Sequence, residues 1–254
     1  MKSIDIIIPY VKGPDNGLEL KYALRSIEKN FQHDNYRVIV AGEKPDWLNP
    51  DLFFPSEKIF QEKFRSFLDT LLKLYSVITE VSDSPEIIWT YDDIYFTKPV
   101  KLTDIRRLKA VAGFGTHPTH LVNCGAGGNW IKTLEYTMET VREAGGSNFN
   151  YETHLPRLFN RARILKLFRE YSLFEKPMMI SSLYFNLYNK EQQPITLIND
   201  NPGIRFLLRS VFDYENLKKR MSNHLFTNNA PQSWTPVLKR VLLEMFPQKS
   251  RFEL

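Results

Sequence analysis

Two adjacent carboxylates, Asp92 and Asp93, lie in the stretch TYDDIYFTKPV at residues 90–100. An apolar Ile-Ile-Trp segment at residues 87–89 precedes this stretch. Adjacent carboxylates at the end of a buried strand repel each other and lose hydration, so a cation or a set of hydrogen bonds must offset that cost. Such oxygen ligands suit Mg²⁺ or Mn²⁺, which commonly keep water ligands while bridging the phosphates of a nucleotide. The pair is therefore a candidate metal site. A solvated turn in which one carboxylate caps the chain is the alternative.

Two other groups of residues could take part in the same chemistry. His154 lies in the polar segment NYETHLP, close to Glu152, and a histidine in a polar loop beside an acid is a candidate base, phosphate contact or metal ligand. Lys21 and Arg25 are one helical turn apart, where they suit anionic phosphates or an acidic substrate group. A solvated helix face would explain the two cations equally well.

The elements that would position these residues begin with a β-α-β unit. An apolar run over residues 4–9, interrupted only by Asp5, is typical of a buried parallel strand, and the helical period over residues 18–27 predicts an amphipathic helix. Asp15 or Asn16 is placed to cap that helix. A second buried strand is predicted over residues 36–42, parallel to the first and joined to it by a right-handed crossover.

A third strand, predicted over residues 86–90, leads directly into the two aspartates. Ligands bind beyond the carboxyl ends of strands in open α/β sheets, so Pro9, Tyr10 and Gly42 are expected to face the same crevice as the aspartates. The other predicted elements are a loop over 43–55, a helix over 57–76, a strand over 110–114, a glycine-rich turn over 124–129, a helix over 130–142, a loop over 145–156, a helix over 156–170, one or two strands near 178–187, and helices near 202–222 and 235–246.

Length and composition bound the class of protein. The chain has 254 residues, 43% of them hydrophobic, which is enough for one large domain. A single cysteine, Cys124, excludes an internal disulfide framework and suits a reducing compartment. No apolar run reaches the roughly 18 residues of a membrane span, and the apolar part of the N-terminal segment is too short for a secretory signal. We expect a cytoplasmic protein without a transmembrane segment.

Positive charge is concentrated in the C-terminal part of the chain. The net charge is +5, and residues 205–254 contain nine Lys and Arg against four acids, a difference equal to the net charge of the whole chain. A second basic run spans residues 157–169. Each run is either a solvated helix face or a surface for a polyanionic partner.

Six segments of the chain, in order, resemble the conserved blocks of the Stealth family of sugar-phosphotransferases: IDIIIPYVKG, NGLELKYALRSIEKN, VIVAGEKPDWLN, IIWTYDDIYFTKPV, YETHLPRLF and FPQKSRFE. That family includes bacterial capsule-polymerising enzymes and the lysosomal-enzyme N-acetylglucosamine-1-phosphotransferase. The resemblance implies an α/β, GT-A-like (Rossmann-related) fold with a central, mostly parallel sheet flanked by helices and a helical C-terminal portion. It further implies one catalytic domain over residues 1–254, with a nucleotide-sugar-binding half at 1–125 and an acceptor-side, mostly helical half at 126–254.

The resemblance also implies roles for single residues. Asp92 and Asp93 would be ligands of Mg²⁺ or Mn²⁺ on a nucleotide diphosphate, and His154 would be catalytic or contact a phosphate. Arg25 would contact the donor or the acceptor, and Asn228 or Asn229 matches a late polar block that lines the site. The base that takes the acceptor proton stays open among four side chains: Asp92, Asp93, His154 and Glu152. The donor-binding set is Pro9, Tyr10, Lys21, Arg25 and Asn228.

Three positions depart from the family pattern: Lys12 stands where an acid is expected, Tyr91 where an asparagine is, and Lys21 where an arginine is. Two transferred groups therefore stay open, a sugar-1-phosphate and a plain sugar, from a nucleotide sugar such as a UDP-sugar. The acceptor is a glycan or polysaccharide, or, because of the basic C-terminal part, a hydroxymethylated base in double-stranded DNA. A non-catalytic module that binds a sugar nucleotide or a polyanion is the alternative function.

Overall fold

The structure is a computed structural model of the chain and describes residues 3–13, 15–59, 66–115, 128–197 and 203–254. Within these residues the strands are β1 (Ile4–Tyr10), β2 (Phe31–Gln32), β3 (Tyr36–Gly42), β4 (Leu52–Pro55), β5 (Glu86–Trp89), β6 (Ile94–Phe96), β7 (Val100–Lys101), β8 (Lys109–Ala110), β9 (Ala112–Gly113), β10 (Phe149–Asn150), β11 (Arg157–Asn160), β12 (Ile195–Thr196), β13 (Arg205–Leu208) and β14 (Phe226–Asn229). The helices are α1 (Leu18–Asn30), α2 (Ser66–Ser76), α3 (Leu102–Arg106), α4 (Gly128–Glu143), α5 (Arg161–Glu170), α6 (Ile180–Tyr188), α7 (Tyr214–Asn223) and α8 (Pro236–Met245), and a π-helical turn, Val77–Val81, continues α2.

The central sheet has the strand order β11-β5-β1-β3-β4. Strand β1 is parallel to both β3 and β5, β4 is parallel to β3, and β11 is antiparallel to β5. The carboxyl ends of the four parallel strands therefore share one edge, and β11 begins at that edge. This arrangement confirms the α/β class with a mostly parallel sheet flanked by helices.

Apolar residues on both faces explain why β1 is buried along its whole length. On one face Ile7 packs with residues of α2, α5 and α6, and on the other Ile6 and Ile8 pack with residues of α1. All three isoleucines are fully buried, and each such side chain contributes about 1.5–3 kcal/mol to folding. A strand covered on both faces reads as a continuous apolar run, which is why the sequence identifies it.

Two predicted elements are of the wrong type. Residues Ile180–Tyr188 form helix α6 and not a strand, because residues 180–186 are all buried and leave no polar face from which a helical period could be read. Residues Arg157–Asn160 form strand β11 where a helix was predicted, and the helix begins only at residue 161. Asn160 caps it, since its side chain accepts a hydrogen bond from the Arg163 backbone N–H at 3.0 Å.

Smaller differences concern element boundaries. Residues 52–55 pair with β3 as strand β4 and do not form the predicted loop, and residues 205–208 form β13 where a helix was predicted. Residues 57–59 are not helical, although the sequence predicts a helix from residue 57. Residues 60–65 and most of the glycine-rich turn at 124–129 lie outside the described residues.

A second sheet joins the C-terminal part of the chain to the segment that follows the aspartates. Its order is β13-β14-β6, with β14 antiparallel to β6 and parallel to β13. Because β6 begins directly after Asp93, the pairing Asn228↔Ile94 places Asn228 beside the candidate site. In the described ranges, no helix combines the length and apolar character needed to cross a membrane.

Candidate active site

The parallel strands bring the predicted site residues to one edge of the sheet. Pro9 and Tyr10 end β1, and Tyr10 pairs with Gly42 at the end of β3. Gly42 has φ 144°, and a Cβ there would stand 1.8 Å from the Tyr10 backbone oxygen, so only glycine allows this close approach. Trp89 at the end of β5 pairs with Ile7, so the aspartates that follow β5 emerge at the same edge.

Asp93 and His154 form a pair at this edge. The His154 Nε2 atom lies 3.0 and 3.1 Å from the two carboxylate oxygens of Asp93. The antiparallel pairing Arg157↔Trp89 explains why residues 61 positions apart meet: the segment before β11 lies beside the segment after β5. The side chain of His154 is 44% exposed and that of Asp93 is 22% exposed, so part of the imidazole is accessible to solvent.

The Tyr91 ring stacks against the imidazole of His154. The ring centroids are 4.9 Å apart and the ring planes differ by 4°. The Tyr91 hydroxyl oxygen accepts hydrogen bonds from Trp89 Nε1 at 3.3 Å and from Arg157 Nη1 at 3.2 Å. These contacts fix the position of the tyrosine ring from its far end.

Glu152 is committed to structural contacts. Its Oε1 atom accepts hydrogen bonds from the Ser182 backbone N–H at 2.9 Å and from the Ser182 hydroxyl at 3.1 Å, in the first turn of α6. Its Oε2 atom lies 3.4 Å from the Nη2 atom of Arg157, and the side chain of Arg157 is buried. The carboxylate therefore stabilises a helix terminus and a buried guanidinium, whereas the side chain of His154 is 44% exposed and contacts Asp93.

Negative charge accumulates around Asp92. Burial raises its pKa well above the ordinary value, and the neighbouring carboxylates of Asp93 and Glu19 raise it further. The pKa of Glu19 is likewise raised, first by burial and then by Asp93, against the hydrogen bond that Asn229 donates to it at 2.7 Å. Asp92, Asp93 and Glu19 thus form a group of carboxyl groups whose ionised forms disfavour one another, a repulsion that a bound cation relieves.

Lys21 and Arg25 are engaged elsewhere. The Arg25 guanidinium lies 2.7 and 2.8 Å from the two carboxylate oxygens of Glu253 and donates to the Phe246 carbonyl oxygen at 3.1 Å. The Lys21 ammonium lies 3.9 Å from Glu253 and 4.6 Å from the ring centroid of Trp47. In the described structure both charged ends thus contact the C-terminal segment, and the structure does not bring them to the aspartate pair.

Lys73 was missed by sequence reasoning, which gave it only a place on an amphipathic helix. It lies on α2, is 2% exposed, and its Cε atom would be 3.4 Å from a Cβ on Gly42, which places it at the edge where the strands end. Burial lowers its pKa, while Asp69 and Glu43 oppose that shift. Its position makes it a candidate partner for an anionic ligand.

The donor atoms at the edge fit a hard divalent cation. Asp92 and Asp93 supply carboxylate oxygens, and the buried Oδ1 atom of Asn228, next to them through β14, has no hydrogen-bond partner within the described residues. No three Asp, Glu, His or Cys side chains in the described ranges are arranged to hold a metal ion unaided. Mg²⁺ in nucleotide sites is typically held by one or two carboxylates together with water and substrate phosphates, and these residues fit that mode.

Comparison with known proteins supports the fold. No family model and no curated protein sequence matches the chain. The structure of the galactosyltransferase LgtC in complex with donor and acceptor sugar analogues matches with a TM-score of 0.50 and 13% identity over 97% of this chain and 98% of that chain. An active-site mutant of LgtC matches with a TM-score of 0.49 and 12% identity over 97% and 98%. A glycosyltransferase involved in glycosylation of the major capsid of PBCV-1 matches with a TM-score of 0.40 and 12% identity over 96% and 98%. The first likeness shows that this chain has the α/β fold of GT-A-type glycosyltransferases.

Proposed function

We propose that this protein is a metal-dependent transferase that moves a sugar, or a sugar-1-phosphate as in the Stealth family, from a nucleotide sugar to an acceptor hydroxyl. The observation that carries the proposal is the Asp93–His154 pair, 3.0 Å apart, beside the second carboxylate of Asp92 at the edge of a GT-A-like sheet. Ligands of open α/β sheets bind at this edge. The LgtC structure that shares the fold holds donor and acceptor sugar analogues, which is the pair of ligands we expect here.

His154 is the proposed general base. With its Nε2–H donated to the Asp93 carboxylate, the Nδ1 atom carries the lone pair and accepts the proton of the acceptor hydroxyl. In transfer of a sugar, the hydroxyl oxygen then bonds to the anomeric carbon, and the nucleoside diphosphate leaves with the electrons of the broken carbon–oxygen bond. In transfer of a sugar-1-phosphate, it bonds to the phosphorus that bears the sugar, and the nucleoside monophosphate leaves with the electrons of the broken phosphorus–oxygen bond. Asp93 keeps the imidazole in this tautomer and stabilises the imidazolium that forms, as carboxylates do in other catalytic pairs with histidine.

The donor phosphates are proposed to lie over Asp92 and Asp93, with Asn228 as a further oxygen contact. Mg²⁺ or Mn²⁺ bound there would neutralise the negative charge that develops on the leaving phosphate. Lys73 supplies a positive charge from the side of β3, where it lies buried near Gly42. We propose a UDP-sugar as the first donor to test, because the chain's motifs resemble those of transferases that use sugar nucleotides.

A glycan is the proposed acceptor. The basic C-terminal part offers fewer unpaired cations to a polyanion than its sequence indicates, because several of them are paired with acids. The pairs are Lys218 with Glu244 at 3.0 Å, Lys239 with Asp15 at 2.5 Å, and Arg251 with Asp51 at 3.4 Å. A surface that binds duplex DNA neutralises many phosphates and therefore weakens steeply with added salt. Transfer to a hydroxymethylated DNA base is thus the second acceptor to test, and its rate should fall with salt whereas transfer to a neutral glycan should not.

The test is thermal unfolding of the whole protein with a panel of nucleotide sugars, each with and without Mn²⁺. A ligand at 100 times its Kd stabilises the native state by about 2.7 kcal/mol, so a true donor should raise the melting temperature only when Mn²⁺ is present. The Asp93→Asn variant is the matched control and should lose the shift. If no donor gives a metal-dependent shift, the transferase proposal is wrong. A shift without turnover on any glycan or DNA acceptor would instead favour the non-catalytic sugar-nucleotide module.

A further inference from the structure

We infer that Tyr91 is a positioning residue that holds the His154 imidazole against Asp93 and thereby sets the rate of transfer. The inference rests on the proposed function, in which His154 is the base. Tyr91 does not touch the reacting atoms in that scheme; it acts through His154. Three observations carry it: the geometry of the ring stack, the anchoring of the tyrosine, and the backbone and exposure of His154.

The Tyr91 ring stacks on the imidazole of His154 with a lateral offset. The planes of the two rings are parallel to within 4° at a centroid distance of 4.9 Å. Asp93 meets the ring at its Nε2 edge, at 3.0 and 3.1 Å. The tyrosine therefore determines the plane of the imidazole, and the carboxylate determines its rotation within that plane, so the direction of the Nδ1 lone pair is defined only when both contacts are present.

The tyrosine is itself anchored in the protein interior. Its hydroxyl oxygen accepts hydrogen bonds from Trp89, which is 1% exposed, and from Arg157, which is 6% exposed. The Arg157 guanidinium also lies 5.8 Å from the centre of the Tyr91 ring and forms an ion pair with Glu152. The other carboxylate oxygen of Glu152 accepts a hydrogen bond from the Ser182 backbone N–H in the first turn of helix α6. Contacts with α6 and β11 thus hold Arg157, and Arg157 in turn holds the Tyr91 ring in place.

His154 needs such support. It has φ 51°, a left-handed backbone conformation that non-glycine residues adopt infrequently, and 44% of its side chain is exposed. A side chain on a strained loop with nearly half of its surface in solvent has other rotamers open to it. Rigid packing by neighbouring side chains is what keeps a reacting group in productive geometry, and small misplacements of such groups cost about 10- to 100-fold in rate.

The experiment compares Tyr91→Leu, which removes the stack, with Tyr91→Phe, which keeps the ring and loses the hydroxyl. We expect Tyr91→Leu to lower kcat about 10- to 100-fold while the donor KM changes less than about twofold, and Tyr91→Phe to recover most of the rate. Both are then combined with His154→Gln. If Tyr91 acts through His154, the leucine substitution has no further effect in the His154→Gln background. An equal loss in both backgrounds would overturn the inference.

A second measurement does not depend on activity. The imidazole C–H resonances of His154, assigned by their loss in His154→Gln, should show an upfield ring-current shift in the aromatic ¹H–¹³C spectrum of the whole protein. The shift should persist in Tyr91→Phe and disappear in Tyr91→Leu; resonances unmoved by Tyr91→Leu refute the stack. Absence of turnover in the wild type, with the ring-current shift present, would refute the proposed function and with it the effect of Tyr91 on the rate, while the positioning of His154 by Tyr91 would stand. Turnover without coupling between Tyr91 and His154 would refute this inference alone.

Discussion

Replacing Arg25 by methionine should destabilise the protein strongly and leave donor binding intact. The Arg25 guanidinium makes two hydrogen bonds to Glu253, at 2.7 and 2.8 Å, and one to the Phe246 carbonyl oxygen at 3.1 Å. The side chains of Arg25 and Glu253 are only 11% and 2% exposed, so the substitution leaves a buried carboxylate without its main cation. Ser250 still donates to that carboxylate from its backbone N–H at 2.9 Å.

The magnitude follows from the burial of the pair. Removing one partner of a buried ion pair costs about 3–5 kcal/mol, and the remaining Ser250 contacts together with Lys21, 3.9 Å away, place the expected loss near the lower end, at about 3 kcal/mol. For a chain of this size a loss of 3 kcal/mol lowers Tm by about 6–12 °C. Replacing both Arg25 and Glu253 by methionine should cost less than the sum of the two single changes, because no charge is then left buried.

The pH dependence has a defined sign. Burial opposes ionisation of Glu253, but the hydrogen bonds from Arg25 and Ser250 outweigh it, and the pKa of Glu253 is lowered in the folded state. The stabilisation is therefore present above the unfolded pKa of about 4.3 and is lost as the pH falls through the lower, folded value. The difference between wild type and Arg25→Met should accordingly be constant near neutral pH and shrink in acid.

Urea denaturation followed by tryptophan fluorescence measures the unfolding free energy, and the melting shift with a nucleotide sugar and Mn²⁺ measures donor binding. Lys21→Met is the matched control, since it removes a more exposed cation 3.9 Å from the same carboxylate and should cost far less. An Arg25→Met variant with wild-type stability and no donor binding would refute the reasoning. That result would restore Arg25 to the donor-contact role that the Stealth resemblance implies.

Three further outcomes are expected. Asp93→Asn should abolish metal-dependent nucleotide binding yet leave the urea midpoint of the unliganded protein equal to or above that of the wild type, since it removes repulsion on Asp92. Burial lowers the pKa of Lys109 to about 8 from 10.5, so the unfolded state binds more protons and stability should rise between about pH 8 and 10.5; urea titrations should show a flatter profile for Lys109→Met. Asn160→Ala should cost about 1 kcal/mol, seen as a lower urea midpoint, because it removes the cap of α5.

The sheet was predictable because its strands carry their own signal. Strands β1, β3 and β5 are covered by helices on both faces, and their continuous apolar runs are legible without knowledge of the partners. Helix α6 and strand β11 were assigned to the wrong type for a related reason. The first is buried all round and shows no period, and the second is a strand because it pairs with β5, a contact with a segment some 70 residues earlier.

Residues of the candidate site were predictable only where an unusual residue type occurs at a sequence position where ligands commonly bind. Adjacent carboxylates after a buried run and a histidine in a polar loop are unusual in themselves, and the structure brings Asp93 and His154 together. Arg157 and Lys73 carry no such signal, and Tyr91 is marked only by its departure from the family pattern. Tyr91 is an ordinary aromatic residue until its contact with His154 is known, and the other two are cations among many in a basic chain.

The motif segments contribute to two structural regions of the molecule. The segments around residues 46–49 and 250–253 pair with each other: the Asn49 backbone N–H donates to the Phe252 carbonyl at 2.8 Å, and the Leu254 backbone N–H donates to the Trp47 carbonyl at 2.8 Å. Arg25, from a third segment, joins them through Glu253. These segments hold the C-terminus against α1, whereas β1, the aspartates and the segment before β11 form the open edge. The donors of Arg25 face a carboxylate that is 2% exposed, which indicates a role in holding the fold. Asp93 and His154 meet each other at the open edge, where we propose that the chemistry takes place.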